Sequence, residues 1–89
     1  MPMHLELQQN FPNPFNPSTT IRFAVASFGP VRLEIFDVSG KRVQRLIDGN
    51  RAPGWYTFTW SASSLPSGIY FCRLSTAATA ETRRLLLLK

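Results

Sequence analysis

Val31-Arg32-Leu33-Glu34-Ile35-Phe36-Asp37-Val38-Ser39-Gly40-Lys41-Arg42-Val43 is the stretch whose pattern decides the fold. Val31, Leu33 and Ile35 alternate with Arg32 and Glu34, the period of two expected where one face of a strand is buried and the other meets water. Ser39-Gly40 then signals a hairpin turn, because glycine reaches backbone conformations that other residues resist. On the return, Val43, Leu46 and Ile47 have a spacing that fits a strand with an irregularity and also one helical turn. A strand over Arg42–Asp48 is the assignment.

Working outward, the same alternation recurs between turn residues along the chain. Leu5-Glu6-Leu7 forms a short first strand, and Thr19–Val25 puts Ile21, Phe23 and Val25 on one face. Trp55–Trp60 offers Tyr56, Phe58 and Trp60 to the core, and Ile69–Ser75 offers Tyr70, Cys72 and Leu74. Glu81–Leu88 closes the series. Short alternating strands separated by Gly and Pro signals predict an all-β fold, an immunoglobulin-like antiparallel β sandwich of about seven strands. Between the first two strands, Pro12, Pro14 and Pro17 remove backbone donors and favour an ordered extended crossing. Phe11 and Phe15 are expected to anchor it.

At 89 residues the chain suffices for one domain, assigned to residues 5–89, with Met1–His4 read as a linker remnant. Hydrophobic residues at 44% against 17% charged argue for a folded core rather than a disordered tail. The net charge of +5 raises the question of nucleic acid. Lys and Arg are scattered, with no basic helix to enter a groove, so no nucleic-acid partner is expected. The longest aliphatic run, Leu85–Leu88, is four residues, far below the roughly 18 that a membrane span needs.

Catalytic arrangements fail for want of residues. The single histidine, His4, lies near a terminus, so a Ser-His-Asp or Cys-His arrangement lacks a well-held base. The five carboxylates, Glu6, Glu34, Asp37, Asp48 and Glu81, fall on strand surfaces and turn starts, where solvation and turn capping explain them. Asp37 and Asp48 lack the dense oxygen ligands of a calcium loop. Cys72, the one cysteine, reads as a small buried apolar residue and excludes a multi-cysteine metal site. No cofactor motif, no metal site and no catalytic residue is expected.

Two features invite contact with a partner. Trp55 and Phe71 fall opposite the core series, and an exposed aromatic stripe can bind sugar or protein, although packing under a loop is the commoner fate. Leu85–Leu88 shows no alternation. If Leu86 and Leu88 face the core, Leu85 and Leu87 face outward, and this edge would form a weak homodimer or dock elsewhere.

Asn10–Ile21 reads NFPNPFNPSTTI, and it is followed by VRLEIFDVSGKRV, by LPSGIYFCRL over Leu65–Leu74, and by a basic then aliphatic segment ending at Lys89. These blocks, in this order, resemble the type A C-terminal sorting domains of type IX secretion cargo, the Por secretion system family. The middle hairpin is also similar to the immunoglobulin-like domain of flagellar hook-capping proteins and, more loosely, to fibronectin type III modules.

The sorting resemblance implies a non-catalytic signal recognised by the outer-membrane type IX translocon. An upstream cargo would pass through the periplasm to the cell surface or medium, where a sortase-like surface peptidase often removes the domain. Matched onto this chain, the candidate recognition residues are Pro12, Asn13, Pro14, Phe15, Asn16, Pro17, Gly68, Tyr70, Leu85, Leu86, Leu87, Leu88 and Lys89. All can equally be residues of the fold. The competing expectation is a structural or adhesive module binding polysaccharide or a partner protein through Trp55 and Phe71.

Overall fold

A computed structural model describes residues 3–89. Met1 and Pro2, half of the expected linker remnant, lie outside the described residues. Seven strands follow in order: β1 (Glu6–Leu7), β2 (Ser18–Val25), β3 (Gly29–Phe36), β4 (Arg42–Arg51), β5 (Gly54–Ser61), β6 (Gly68–Ser75) and β7 (Ala80–Leu87). They form a three-stranded sheet, β1-β2-β5, and a four-stranded sheet, β4-β3-β6-β7, with every strand pair antiparallel. The thinnest Cα dimension is 16 Å, which leaves one interdigitated layer between sheets about 10 Å apart.

Alternation places the core where the residue types require it. Ile21, Phe23 and Val25 from β2 meet Val31, Leu33 and Ile35 from β3 and Tyr70, Cys72 and Leu74 from β6, all buried. Trp60 is buried, while Tyr56 and Phe58 pack half-buried against the same core. Phe23 stacks on Tyr56 with ring centroids 5.4 Å apart, and Phe15 tilts against Trp60 at 5.7 Å. Burial pushes the Cys72 thiol up to about 12, so it stays protonated and unreactive at neutral pH.

The ambiguous return segment is a strand with two irregularities. Register shifts between Leu33 and Glu34 and between Ile35 and Phe36 leave Leu46 and Val43 as extra residues on β4. Each is a bulge, one residue unmatched on the partner strand. Two bulges in five residues bring Val43, Leu46 and Ile47 to a spacing that a helix would also give. The turn before β4 is closed by Asp37, whose Oδ1 accepts from Ser39 N at 2.9 Å, Ser39 Oγ at 2.6 Å and Lys41 N at 3.1 Å. The Ser39 hydroxyl, with the two amides and the Lys41 charge, holds the Asp37 carboxyl below its usual range against the opposing effect of burial. Gly40 sits there at φ 86°, in the left-handed region.

Two expectations need correction. Phe11 does not anchor the proline segment: its ring is 71% exposed, while Asn10 is buried in its place. The backbone of Phe11 bridges Thr20, and this pairing turns the ring outward. Leu85 and Leu87, not Leu86 and Leu88, face the core, because β7 pairs with β6 so that Leu85 lies opposite inward Tyr70 and Leu86 opposite outward Ile69.

Candidate functional site

Three sequence blocks far apart in the chain meet along one side of the sandwich. The proline segment runs beside the outer edge of β7, where Phe15 forms a parallel bridge with Leu87. Phe15 N donates to Leu86 O at 3.0 Å, and Leu88 N donates to Phe15 O at 3.0 Å. Leu86 N donates to Asn13 Oδ1 at 3.0 Å. Asn13 and Phe15 therefore occupy the edge groups that would otherwise be open to another chain.

On its other side β7 pairs with β6, setting Gly68 opposite Leu87 and Tyr70 opposite Leu85. Lys89 N donates to Ser67 Oγ at 2.9 Å and Lys89 Nζ donates to Ser63 O, so the last residue is tied to the loop before β6. Tyr70 OH donates to Pro66 O at 2.7 Å, the backward reach of a tyrosine corner in immunoglobulin-like sandwiches. Gly68 lies at φ 154°, and a Cβ there would meet nothing within 4 Å. Glycine is required by backbone conformation, not by space.

Within the proline segment the Phe11-Pro12, Asn13-Pro14 and Asn16-Pro17 peptides are cis. Phe15 is 2% exposed and fills the space beside Trp60. Pro12, Asn13, Pro14 and Asn16 lie on the surface, with Pro17 half-buried. Pro17 O accepts from Ala62 N at 2.9 Å, fixing the segment's far end.

Asn10 is a residue that sequence reasoning missed. Its Nδ2 donates to Pro12 O and Thr19 Oγ1, both at 3.0 Å, and Thr19 Oγ1 donates to Pro12 O at 2.8 Å. Gln9 Nε2 donates to Asn10 Oδ1 and to Arg84 O, each at 2.7 Å. Such a buried amide, fully partnered, locks one conformation of the loop. The available signal was an Asn directly before Phe11-Pro12, a common turn residue.

The candidate residues thus divide by exposure. Phe15, Tyr70, Leu85 and Leu87 are buried in the core. Pro12, Asn13, Pro14, Asn16, Leu88 and Lys89 are exposed, with Pro17, Gly68 and Leu86 half-buried, and Asn13 meets Leu86 at one corner of the sandwich. The family model described as a secretion system C-terminal sorting domain matches residues 9–88. The chain belongs to that family. Comparison with individual curated proteins gave no match. The sorting-domain match begins at Gln9 and so takes in the Asn10 network, the proline segment and all of β7.

The aromatic candidates do not share a surface. Trp55 lies on the outer face of the three-stranded sheet, under the Arg22 guanidinium at 4.1 Å from its ring centroid. Phe71 lies on the outer face of the four-stranded sheet, opposite Phe36 on β3. With the core between them, no single flat partner reaches both.

The carboxylates are engaged in structural contacts. Glu34, opposite Arg45 on β4, accepts from Arg42 and Arg45 at 3.2 Å each. Burial alone would raise its pKa, but the Arg45 and then Arg42 hydrogen bonds and charges outweigh burial and lower it. Asp48 pairs with Arg32 at 3.4 Å and Arg45 at 3.3 Å. Among the described residues no three of His, Cys, Asp and Glu gather as a metal cluster would, and no helix is long and apolar enough to cross a membrane.

Proposed function

We propose that this sorting domain is read as a folded shape by the outer-membrane type IX translocon, and that it directs an upstream cargo to the cell surface or medium. The observation that carries this is the joining of Asn13 and Phe15 to Leu86 and Leu88 by hydrogen bonds across more than 70 residues of sequence. A linear signal would need no such tertiary assembly. The exposed corner of Asn13, Pro14, Leu88 and Lys89 is the part a receptor touches, and Phe15, Tyr70, Leu85 and Leu87 hold it in shape. In this reading the domain is a substrate of the export machinery, not an enzyme, and a sortase-like surface peptidase removes it after passage.

The test is a fusion of residues 5–89 to a periplasm-targeted fluorescent protein in a host with type IX export. Deleting Leu85–Lys89 would also remove core side chains, so it cannot separate recognition from folding. Leu88→Asp combined with Lys89→Glu alters exposed groups and is the better probe. Export of the parent, with periplasmic retention of a double variant whose melting temperature is preserved, is the expected result. A parent fusion that stays in the periplasm rejects the proposal.

A further inference from the structure

The outer face of the four-stranded sheet carries an ordered ladder of arginine and phenylalanine that adjoins the sorting corner at Asn13, Pro14 and Leu86 and extends away from it. Register places Arg42, Phe36, Phe71 and Arg84 side by side in one row across β4, β3, β6 and β7. The next row on this face is Arg45, Glu34, Arg73 and Thr82. Glu34 is already bound by Arg42 and Arg45, and Asp48 by Arg32 and Arg45. Arg73 and Arg84, both exposed, make no ion pair among the described residues. Beside them, Phe71, Ile69 and Leu86 leave apolar surface open, and shallow hollows of about 300 and 290 Å³ flank Phe71 and Arg84.

We propose that this face docks an acidic protein segment, whose carboxylates meet Arg73 and Arg84 and whose apolar side chains lie over Phe36, Phe71 and Ile69. Arginine and aromatic side chains around an apolar centre are the composition of protein interfaces. The cationic excess selects a partner of opposite charge. Glu34, Asp48 and Asp37 on or beside the face disfavour a continuous phosphate backbone. Four strands about 4.8 Å apart and eight residues long offer about 500 Å². A complex burying about 1,000 Å² in total is weak and transient, which suits a contact made and released in passage. The three-stranded sheet provides an internal control, since its outer face pairs Arg22 with Trp55 and is otherwise rich in threonine.

The docking goes beyond the sorting reading, and the two are separable: Leu88→Asp with Lys89→Glu should alter export while leaving this binding unchanged. The intact chain, labelled with ¹⁵N, is titrated at low salt with a short peptide of alternating Glu and Leu. Shifts confined to Phe36, Ile69, Phe71, Arg73 and Arg84, and affinity reduced roughly tenfold or more by Arg73→Glu with Arg84→Glu, are expected. Arg22→Glu should change affinity less than about twofold, and added salt should weaken binding. If the reversed variant fails to fold, Arg73→Gln with Arg84→Gln gives the same comparison. No shifts at low salt, or shifts centred on Trp55, overturn the proposal. Tighter binding to phosphatidylserine vesicles or to an oligodeoxythymidine than to the peptide also overturns it, assigning the face to lipid or nucleic acid.

Discussion

The two long sides of the sandwich are built differently. On the β1/β7 side, the proline segment covers the edge of β7 through Asn13 and Phe15. The short β1 is sealed by side chains from β7: Leu7 N donates to Glu81 Oε1 and Arg83 Nε donates to Leu7 O, both at 2.8 Å. On the β4/β5 side no segment among the described residues hydrogen-bonds along the outer edge of either strand. There β4 is bulged twice and carries Arg42, Arg45 and Arg51, and Gln44 Oε1 accepts from Trp60 Nε1 at 3.1 Å. Bulges and charge blunt an edge without covering it. The difference teaches that the proline segment and the C-terminal strand close an edge on one side of the molecule, whereas the hairpin block ending at Val43 leaves the β4 edge open. It also removes the premise for pairing through Leu85 and Leu87, which are buried beneath a covered edge.

The largest expected effect separates the two sides directly. Phe15→Ala opens a cavity beside Trp60 and removes the ring that anchors the proline segment over β7, and should cost about 3 to 5 kcal/mol in chemical denaturation. Val43→Ala, a bulged position on the open side, should cost less than half as much. Equal losses would show that the proline segment does not hold the sandwich shut.

Gly54 and Gly68 offer a sharper contrast, because they are matched in backbone. Their φ angles are 150° and 154°, and each precedes by two residues a tyrosine, Tyr56 or Tyr70, whose hydroxyl donates four residues back. Replacing either with Ala should cost about 1 to 3 kcal/mol of backbone strain. Melting temperatures should fall alike, whereas export of a fused reporter should fall further for Gly68→Ala, the glycine beside the β7 corner. Equal export would erase the functional distinction between the sides.

Smaller still is the effect of Glu34→Gln at the β3–β4 boundary, where two arginines lose a charged acceptor; about 1 to 2 kcal/mol is expected at neutral pH. The folded protein lowers the Glu34 pKa below the ordinary 4.5. This contribution is therefore complete above about pH 4.5 and is lost as pH falls through the lower folded value. Denaturation across that window should show parent and variant converging at low pH. A constant difference would mean that the charge is not what matters.

Trp55→Ala should do least. The ring is 43% exposed, and its stacking with Arg22 is worth about 0.5 to 1 kcal/mol. A calorimetric loss well above that would mean the open side depends on its outer face more than its burial implies.

Sequence periodicity determined the strands, their inward residues and the sandwich class, because a two-residue repeat has only one way to bury Val31, Leu33 and Ile35 together. It placed an irregularity in the segment carrying Val43, Leu46 and Ile47 without telling a bulged strand from a helical turn, since both produce that spacing over so few residues, and only the register put the bulges at Val43 and Leu46. The motif blocks were visible as words in the chain. Their meeting was not, because nothing local links Asn13 to Leu86. Four consecutive leucines likewise carry no phase, and only pairing with Tyr70 and Ile69 on β6 chose which two enter the core. Phe11 and Phe15 are equally hydrophobic on paper. The bridge from Phe11 to Thr20 and the space beside Trp60 sent one ring to solvent and the other inside, a choice made by backbone hydrogen bonds between segments and by the volume that the two sheets leave between them.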